Sequence, residues 1–98
     1  RDGDNFRLIK RNGVVSIFCA VGYWKTIDST KKLYWASASD GTYTAPQIES
    51  GFRPPTNVEI ICGNVYKRVV VHAEDGYLYC GDEITATALR FSATWVVG

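Results

Sequence analysis

Catalysis by this chain would have to use very few side chains, because its 98 residues include one histidine and three cysteines. His72 could act as a general base, and Cys62 or Cys80 could be the nucleophile of a Cys–His pair. Their spacing does not show whether they lie close together, and a strand histidine facing solvent or a subunit interface is the simpler interpretation. Three cysteines and a histidine also equal the ligand count of a Cys₃His zinc site, but the paired spacing of such sites is missing. We therefore expect neither a metal nor another cofactor.

Three carboxylates, Asp40, Glu74 and Asp75, could supply the acid and base of glycoside hydrolysis. Asp40 and Asp75 each precede a glycine, and aspartate is favoured in such turns for its backbone hydrogen bonding. The pattern therefore favours turns over catalysis. We expect no enzymatic activity and keep a polysaccharide-degrading enzyme that uses Glu74, Asp75 or His72 as an alternative hypothesis.

Aromatic residues near turns are the more informative feature of the sequence. They are Tyr23, Trp24, Tyr34, Trp35, Tyr43, Tyr77 and Tyr79. Aromatic faces beside polar side chains hold sugar rings through apolar stacking and directional hydrogen bonds. The predicted saccharide site uses Trp24, Trp35 and Tyr43 for stacking, with Asp28 and Asp40 for polar contacts. In the alternative, one ring of each Tyr-Trp pair packs inward and the other meets a neighbouring subunit.

The elements that would position these residues are strands, because β-branched and aromatic residues alternate with small or polar ones between Gly, Asn, Asp and Pro. Residues 6–10 and 14–21 flank Asn12-Gly13, which favours the type I′ turn of a hairpin. The polar segment 22–32 is predicted to be a loop that displays Tyr23 and Trp24. The two consecutive prolines Pro54-Pro55 exclude a central strand at that point.

Further strands are predicted at 57–62, 65–73 and 76–80, with turns at Gly63-Asn64 and Asp75-Gly76. Residues 87–97 have a period of two, which predicts a strand with its odd-numbered face in the core. About seven or eight strands in one domain over residues 1–98 indicate an all-β fold, either an antiparallel β-sandwich or a compact jelly-roll-like barrel.

Composition excludes several classes of function. Lys and Arg total 11 against 10 Asp and Glu, which gives a net charge of +1. This charge is too small to attract nucleic acid strongly. No apolar run approaches the roughly 20 residues of a membrane helix, so we expect no membrane insertion. Cys19, Cys62 and Cys80 fit buried small hydrophobes better than a disulfide framework. The chain begins with Arg1 and has no methionine, so we expect a C-terminal fragment of a longer chain.

Four segments, in this order over residues 6–97, resemble the C-terminal head domains of bacteriophage tail-fibre and baseplate receptor-binding proteins. The segments are Lys10-Arg11-Asn12-Gly13-Val14-Val15, Gly51-Phe52-Arg53-Pro54-Pro55, Val69-Val70-Val71 leading to Asp75-Gly76, and Phe91-Ser92-Ala93-Thr94-Trp95. In that family a hairpin precedes a Gly-Phe-Arg-Pro connection, a strand with an Asp-Gly turn follows, and an aromatic strand closes the domain.

The resemblance implies a β-sandwich, assembled as a homotrimer at the tip of a virion tail or baseplate, that contacts other virion tail proteins and binds receptors on a bacterial surface. It implies synthesis in the bacterial cytoplasm, and it does not imply catalysis. Family receptor sites lie in variable loops, so the resemblance assigns no binding residue. The leading hypothesis is thus a host receptor-binding module for bacterial cell-wall polysaccharide, and the second is a structural trimerisation or connector module without its own ligand.

Overall fold

Antiparallel strands make up about half of the described chain, as the alternating sequence pattern predicts. A computed structural model describes residues 6–20, 23–36, 42–85 and 87–97. Its strands are β1 (Phe6–Arg11), β2 (Val14–Cys19), β3 (Tyr23–Thr26), β4 (Leu33–Ala36), β5 (Tyr43–Thr44), β6 (Val58–Ile61), β7 (Arg68–Val71), β8 (Leu78–Cys80), β9 (Thr87–Ala88) and β10 (Phe91–Val96). The predicted all-β class is confirmed, although these ranges hold ten strands rather than seven or eight. No helix within them is long and apolar enough to span a membrane.

The strands form three antiparallel sheets. The first has the order β1-β2-β10, the second β5-β4-β3-β9 and the third β6-β7-β8. The predicted hairpin between β1 and β2 is confirmed: Asn12 and Gly13 have φ angles of 51° and 77°. Both angles lie in the left-handed region that a type I′ turn requires.

The segment that the sequence predicts as one final strand crosses from one sheet to another. β9 pairs with β3 in the second sheet, whereas β10 pairs with β2 in the first. At the crossover the side-chain amide of Asn64 donates to the Ala88 carbonyl at 2.9 Å and accepts from the Arg90 N–H at 2.8 Å. This side chain thus satisfies backbone groups that lie between the two ladders. The odd-numbered core face is nevertheless confirmed, since Leu89, Phe91 and Trp95 are buried.

Inward side chains from all three sheets meet in one hydrophobic core. Its buried members are Val15, Ile17, Cys19, Trp24, Leu33, Trp35, Ile48, Ile60, Cys62, Val69, Val71, Leu78, Cys80, Ile84, Leu89, Phe91 and Trp95. The three cysteines are free thiols inside this core, as their apolar surroundings predict. Burial, with the neighbouring thiols adding to it, raises the pKa of Cys62 to about 11. That thiol is therefore protonated at neutral pH.

The predicted irregular connection around Pro54-Pro55 is confirmed, with a single 3₁₀ turn at Ser50–Phe52. It is fixed from two sides. The Arg53 guanidinium donates to the carbonyl oxygens of Ile48 at 2.7 Å and Glu74 at 3.1 Å. The Trp95 indole N–H donates to the Phe52 carbonyl at 2.7 Å. Segments far apart in the sequence therefore meet in one rigid frame.

Candidate functional site

Trp24 and Trp35, the two tryptophans predicted to stack on sugar, lie in the core. They are 0% and 3% exposed, and their rings stack on each other with centroids 5.9 Å apart. Segment 22–32 is not all loop: β3 and β4 pair Trp24 directly with Trp35, and Phe6 packs edge-on against both rings. The prediction that these two rings are displayed is wrong, because alternation along β3 and β4 turns them inward.

Tyr43, the third predicted stacking residue, lies on the outward side of the second sheet. The same side carries Tyr23, Lys25 and Tyr34, because Trp24 and Trp35 alternate with them and face the core. The Lys25 ammonium lies 4.3 Å from the centroid of the Tyr43 ring and covers one of its faces. Tyr43 stays a candidate for stacking, but it lies on the opposite side of the second sheet from the predicted tryptophans.

Asp28, one of the two predicted polar partners of Tyr43, is hydrogen-bonded within its own turn. Asp28 accepts from the backbone N–H of Thr30 at 3.1 Å and from its hydroxyl at 2.5 Å. These hydrogen bonds, the hydroxyl first, hold the pKa of Asp28 below its ordinary value. Its carboxylate thus closes a local turn. Asp40 lies outside the described residues.

A groove of about 300 Å³ at one end of the third sheet holds the most exposed aromatic ring of the described chain. It is lined by Ile61, Tyr66, Lys67, Arg68, Gly81 and Asp82. Tyr66 is 99% exposed and Ile61 67%. Hydrogen bonds from Cys62 N to Lys67 O at 3.0 Å and from Lys67 N to Val65 O at 2.9 Å close the loop around Tyr66. The loop therefore presents an aromatic ring to solvent with both faces available.

Two ion pairs border this groove. The Lys67 ammonium lies 3.6 Å from Asp82 Oδ2, and Arg68 Nη1 lies 3.1 Å from Glu59 Oε2. All four side chains are partly exposed, so these pairs add little to stability. They do fix hydrogen-bond donors and acceptors next to an aromatic ring, which is the combination that sugar hydroxyls and the apolar sugar face require.

Tyr66 is absent from the predicted site because the sequence pattern assigns residues 65–73 to one strand, whereas β7 begins at Arg68. One signal could have identified it. If 65–73 were one strand with Val69 and Val71 inward, alternation would put even-numbered residues, including Tyr66, on the outward side. In the structure Tyr66 is exposed but lies in the loop before β7.

A second aromatic cluster lies at the opposite end of the same outward side. His72 stacks on Tyr79 with ring centroids 3.8 Å apart. The Tyr79 hydroxyl donates to Asp75 Oδ2 at 2.7 Å, and the Tyr77 N–H donates to Asp75 Oδ1 at 3.0 Å. The Lys32 ammonium lies 3.8 Å from the centroid of the Tyr77 ring. The cluster is therefore held in place before any ligand arrives.

The electrostatics of this cluster keep Asp75 charged and Tyr79 neutral. Burial opposes ionisation of Asp75, but hydrogen bonds from Tyr77 and Tyr79 outweigh it and hold the pKa of Asp75 below its ordinary value. Burial, followed by the hydrogen bond to Asp75 and its negative charge, raises the pKa of Tyr79 to about 12. An ionised, doubly hydrogen-bonded carboxylate is suited to accepting hydrogen bonds rather than to donating a proton.

The two members of the Cys–His pair considered for catalysis do not come together, whereas His72 and Asp75 lie in one cluster around Tyr79. His72 lies on the outward side of β7, whereas Cys62 and Cys80 are buried in the core below it. A thiol and an imidazole on opposite sides of one sheet cannot share a hydrogen bond. Within the residues that the structure describes, no group of His, Cys, Asp and Glu side chains could hold a metal ion.

The outward side of the third sheet is thus the candidate functional site, here called the third-sheet face. Its residues are Glu59, Ile61, Tyr66, Lys67, Arg68, Val70, His72, Asp75, Tyr77, Tyr79 and Asp82, with Lys32 joined to it by a bridge to Tyr79. Comparisons of the chain with protein-family models, with curated proteins and with solved structures found no match.

Proposed function

We propose that the chain is a non-enzymatic adhesion module that recognises bacterial cell-surface saccharide through the third-sheet face. The observation that carries this proposal is the ring of Tyr66, fully exposed beside a groove with two ion pairs. An aromatic ring left in water has no packing role inside the chain. Its apolar face can instead cover the C–H face of a sugar, while neighbouring charged groups pair with hydroxyls.

The wider setting of the proposal is a bacteriophage tail or baseplate, with the domain acting in a homotrimer next to other virion tail proteins. The resemblance to phage head domains suggests this setting. The residues that carry the resemblance pack on each other, since Arg53 holds the 73–76 turn and Phe52 accepts from Trp95. They are therefore framework residues, which leaves recognition to other surfaces. Several weak sites engaged together in an oligomer would gain avidity without new contacts.

A binding experiment with matched variants tests the proposal. The protein is applied to a glycan array and to bacterial cell-wall fractions as wild type, Tyr66→Ala and Tyr23→Ala. Tyr23 is the control because it is also an exposed tyrosine, at 55%, but belongs to the second sheet. We expect Tyr66→Ala to lose about tenfold or more in affinity, since a stacked aromatic contact and its hydrogen bonds are worth about 1.5 kcal/mol, and Tyr23→Ala to bind like wild type.

A third variant, Tyr43→Ala, distinguishes binding at the second sheet from binding at the third sheet. Loss of binding in Tyr43→Ala with full binding in Tyr66→Ala would move the saccharide site to the second sheet, as the sequence predicts for that residue. No binding of wild type to any glycan or wall fraction would overturn the proposal. New reducing ends after incubation with wall polysaccharide would favour the enzyme hypothesis instead.

One observation favours the second candidate, a structural trimerisation or connector module. The outward side of the first sheet carries four exposed apolar side chains, Ile9, Val14, Phe18 and Val96. Solution mass tests this candidate. A trimer that dissociates in Val96→Lys but persists in Thr44→Lys, combined with no glycan binding, would favour a connector over an adhesion module.

A further inference from the structure

The third-sheet face has aromatic groups at both of its ends, and the sheet geometry fixes the distance between them. Ile61, Arg68 and Gly81 line the groove at the end where β7 begins. His72, Tyr77 and Tyr79 lie at the end where β7 finishes and β8 begins. From Arg68 to His72 the chain advances four residues, which is roughly 13 Å at about 3.3 Å per residue. That distance exceeds the length of one sugar ring.

The Tyr77 end is ordered by contacts within the chain. The Gln47 side-chain amide donates to the Asp75 carbonyl at 2.9 Å, and Asp75 accepts from both Tyr77 and Tyr79. Lys32 is fixed across from Tyr79 by the bridge between them. Side chains that are already ordered lose little conformational entropy when a ligand binds. The cluster therefore has the preorganisation that a binding subsite needs.

The charges of the face match an uncharged ligand. Lys67 lies beside Asp82 and Arg68 beside Glu59, while the positive charge of Lys32 helps to lower the pKa of Asp75. A polyanion would gain from the cations and lose a similar amount to the carboxylates. Hydroxyl groups, in contrast, can donate to the carboxylates and accept from the cations at the same time.

We infer that the third-sheet face binds an extended, uncharged saccharide chain across two subsites, one at Tyr66 and the other at Tyr77. This inference rests on the proposed function and adds the class of ligand. Sugar units between the subsites lie over Arg68 and Val70, with the His72–Tyr79 stack bordering the second subsite. A single sugar occupies the Tyr66 subsite alone, so affinity rises with chain length until both subsites are filled.

Linear uncharged glycans of increasing length, together with anionic glycans of matched length, test the inference. Wild type should bind uncharged glycans about tenfold more tightly once both subsites are reached, with little change between low and high salt. Tyr77→Leu keeps an apolar side chain but removes the flat ring, and it should flatten this length dependence while leaving the affinity for short glycans unchanged. Tyr66→Ala should lose affinity for short and long glycans alike.

A second readout does not depend on variants that could disturb folding. In wild-type protein, amide chemical shifts should move near Tyr66 with short glycans and extend to Tyr77 and Gln47 only with long ones. Affinity that is independent of length, a preference for anionic glycans, or shifts that stay at Tyr66 with long glycans would overturn the two-subsite inference while leaving the proposed function intact. No glycan binding at all would overturn both.

Discussion

Arg53 lies directly against the backbone of Gly76, in the space that any larger residue at position 76 would need. A Cβ built on Gly76 would lie 2.5 Å from Arg53 Nε and would also clash with the Ile48 carbonyl oxygen. Gly76 also has a φ of 76°, and its carbonyl accepts from the Ile48 N–H at 2.8 Å. The glycine of the Asp-Gly turn and the arginine of the Gly-Phe-Arg-Pro connection are thus in direct contact.

Gly76→Ala should lower the free energy of unfolding by about 3 kcal/mol. Left-handed backbone costs an L-residue roughly 1–2 kcal/mol, and the overpacking against Arg53 adds a similar amount. Urea unfolding measures the loss as a lower midpoint. Gly51→Ala is the control, because the nearest atom to its Cβ would be Lys10 Nζ at 4.0 Å, so its midpoint should stay close to that of wild type. Equal midpoints for the two variants would contradict this account of the contact.

Lys31→Gly should stabilise the protein by about 0.5–1 kcal/mol. Lys31 has a φ of 63°, a conformation that glycine adopts without steric cost. The strain energy that the substitution removes from the folded chain exceeds the free-energy cost of the extra conformational entropy that glycine gives to the unfolded chain. The carbonyl of Lys31 still accepts from Cys80 at 2.9 Å, since that contact uses only backbone. Thermal unfolding should show a higher midpoint. Lys32→Gly provides the contrast: φ there is not left-handed, so the same substitution should lower the midpoint.

Asn64→Ala should cost about 1–2 kcal/mol, because two backbone groups at the crossover between the second and first sheets lose their partner. Asn57→Ala is the graded comparison. Asn57 accepts one hydrogen bond, from the Ala73 N–H at 2.9 Å, whereas Asn64 makes two. Denaturant unfolding should therefore show roughly twice the loss for Asn64→Ala. Hydrogen exchange should also become faster at Arg90 in that variant, and unchanged exchange there would argue against the role of Asn64 at the crossover.

Local signals in this sequence predict the structure that they encode, whereas features that depend on distant residues leave no such signal. The two residues Asn12-Gly13 favour the left-handed φ angles that fix the first hairpin. The period of two in 87–97 predicts which face of that segment is buried, whichever strand pairs with it. The break at the crossover depends on Asn64, which is more than twenty residues away in the chain, so no pattern within 87–97 could reveal it.

The candidate site shows the same limit. Tyr23 and Trp24 are adjacent, and alternation requires them to point to opposite sides, but only pairing with β4 shows that Trp24 is the inward one. Tyr66 was predictable in part, because the inward Val69 and Val71 fix the direction of even-numbered residues. Its complete exposure depends on the backbone hydrogen bonds that close the 62–67 loop, and these have no signature in composition or period.

Stability should fall as pH rises from about 10 to 12, because both Tyr79 and the buried Cys62 have a raised pKa in the folded protein, and Tyr79 should account for the later part of the fall. The pKa of Tyr79 is about 12 in the folded protein against an ordinary value of 10.0. Between these values the folded chain holds a proton that the unfolded chain has released, so raising the pH favours unfolding. The contribution is present in full below pH 10 and is lost as the pH passes the folded pKa. Urea midpoints measured across this window should decline in wild type and decline less in Tyr79→Phe.

The control for this titration is Tyr66→Phe, whose hydroxyl is in solvent and which should keep the wild-type decline. Tyrosinate absorbance gives a direct reading, in which the last group to ionise in wild type should be missing from Tyr79→Phe. Asp75→Asn should move that last ionisation to lower pH, because it removes the negative charge next to the Tyr79 hydroxyl. A wild-type titration without a late group, or a late group that survives in Tyr79→Phe, would show that Asp75 and Tyr79 do not share the hydrogen bond on which the order of the Tyr77 subsite depends.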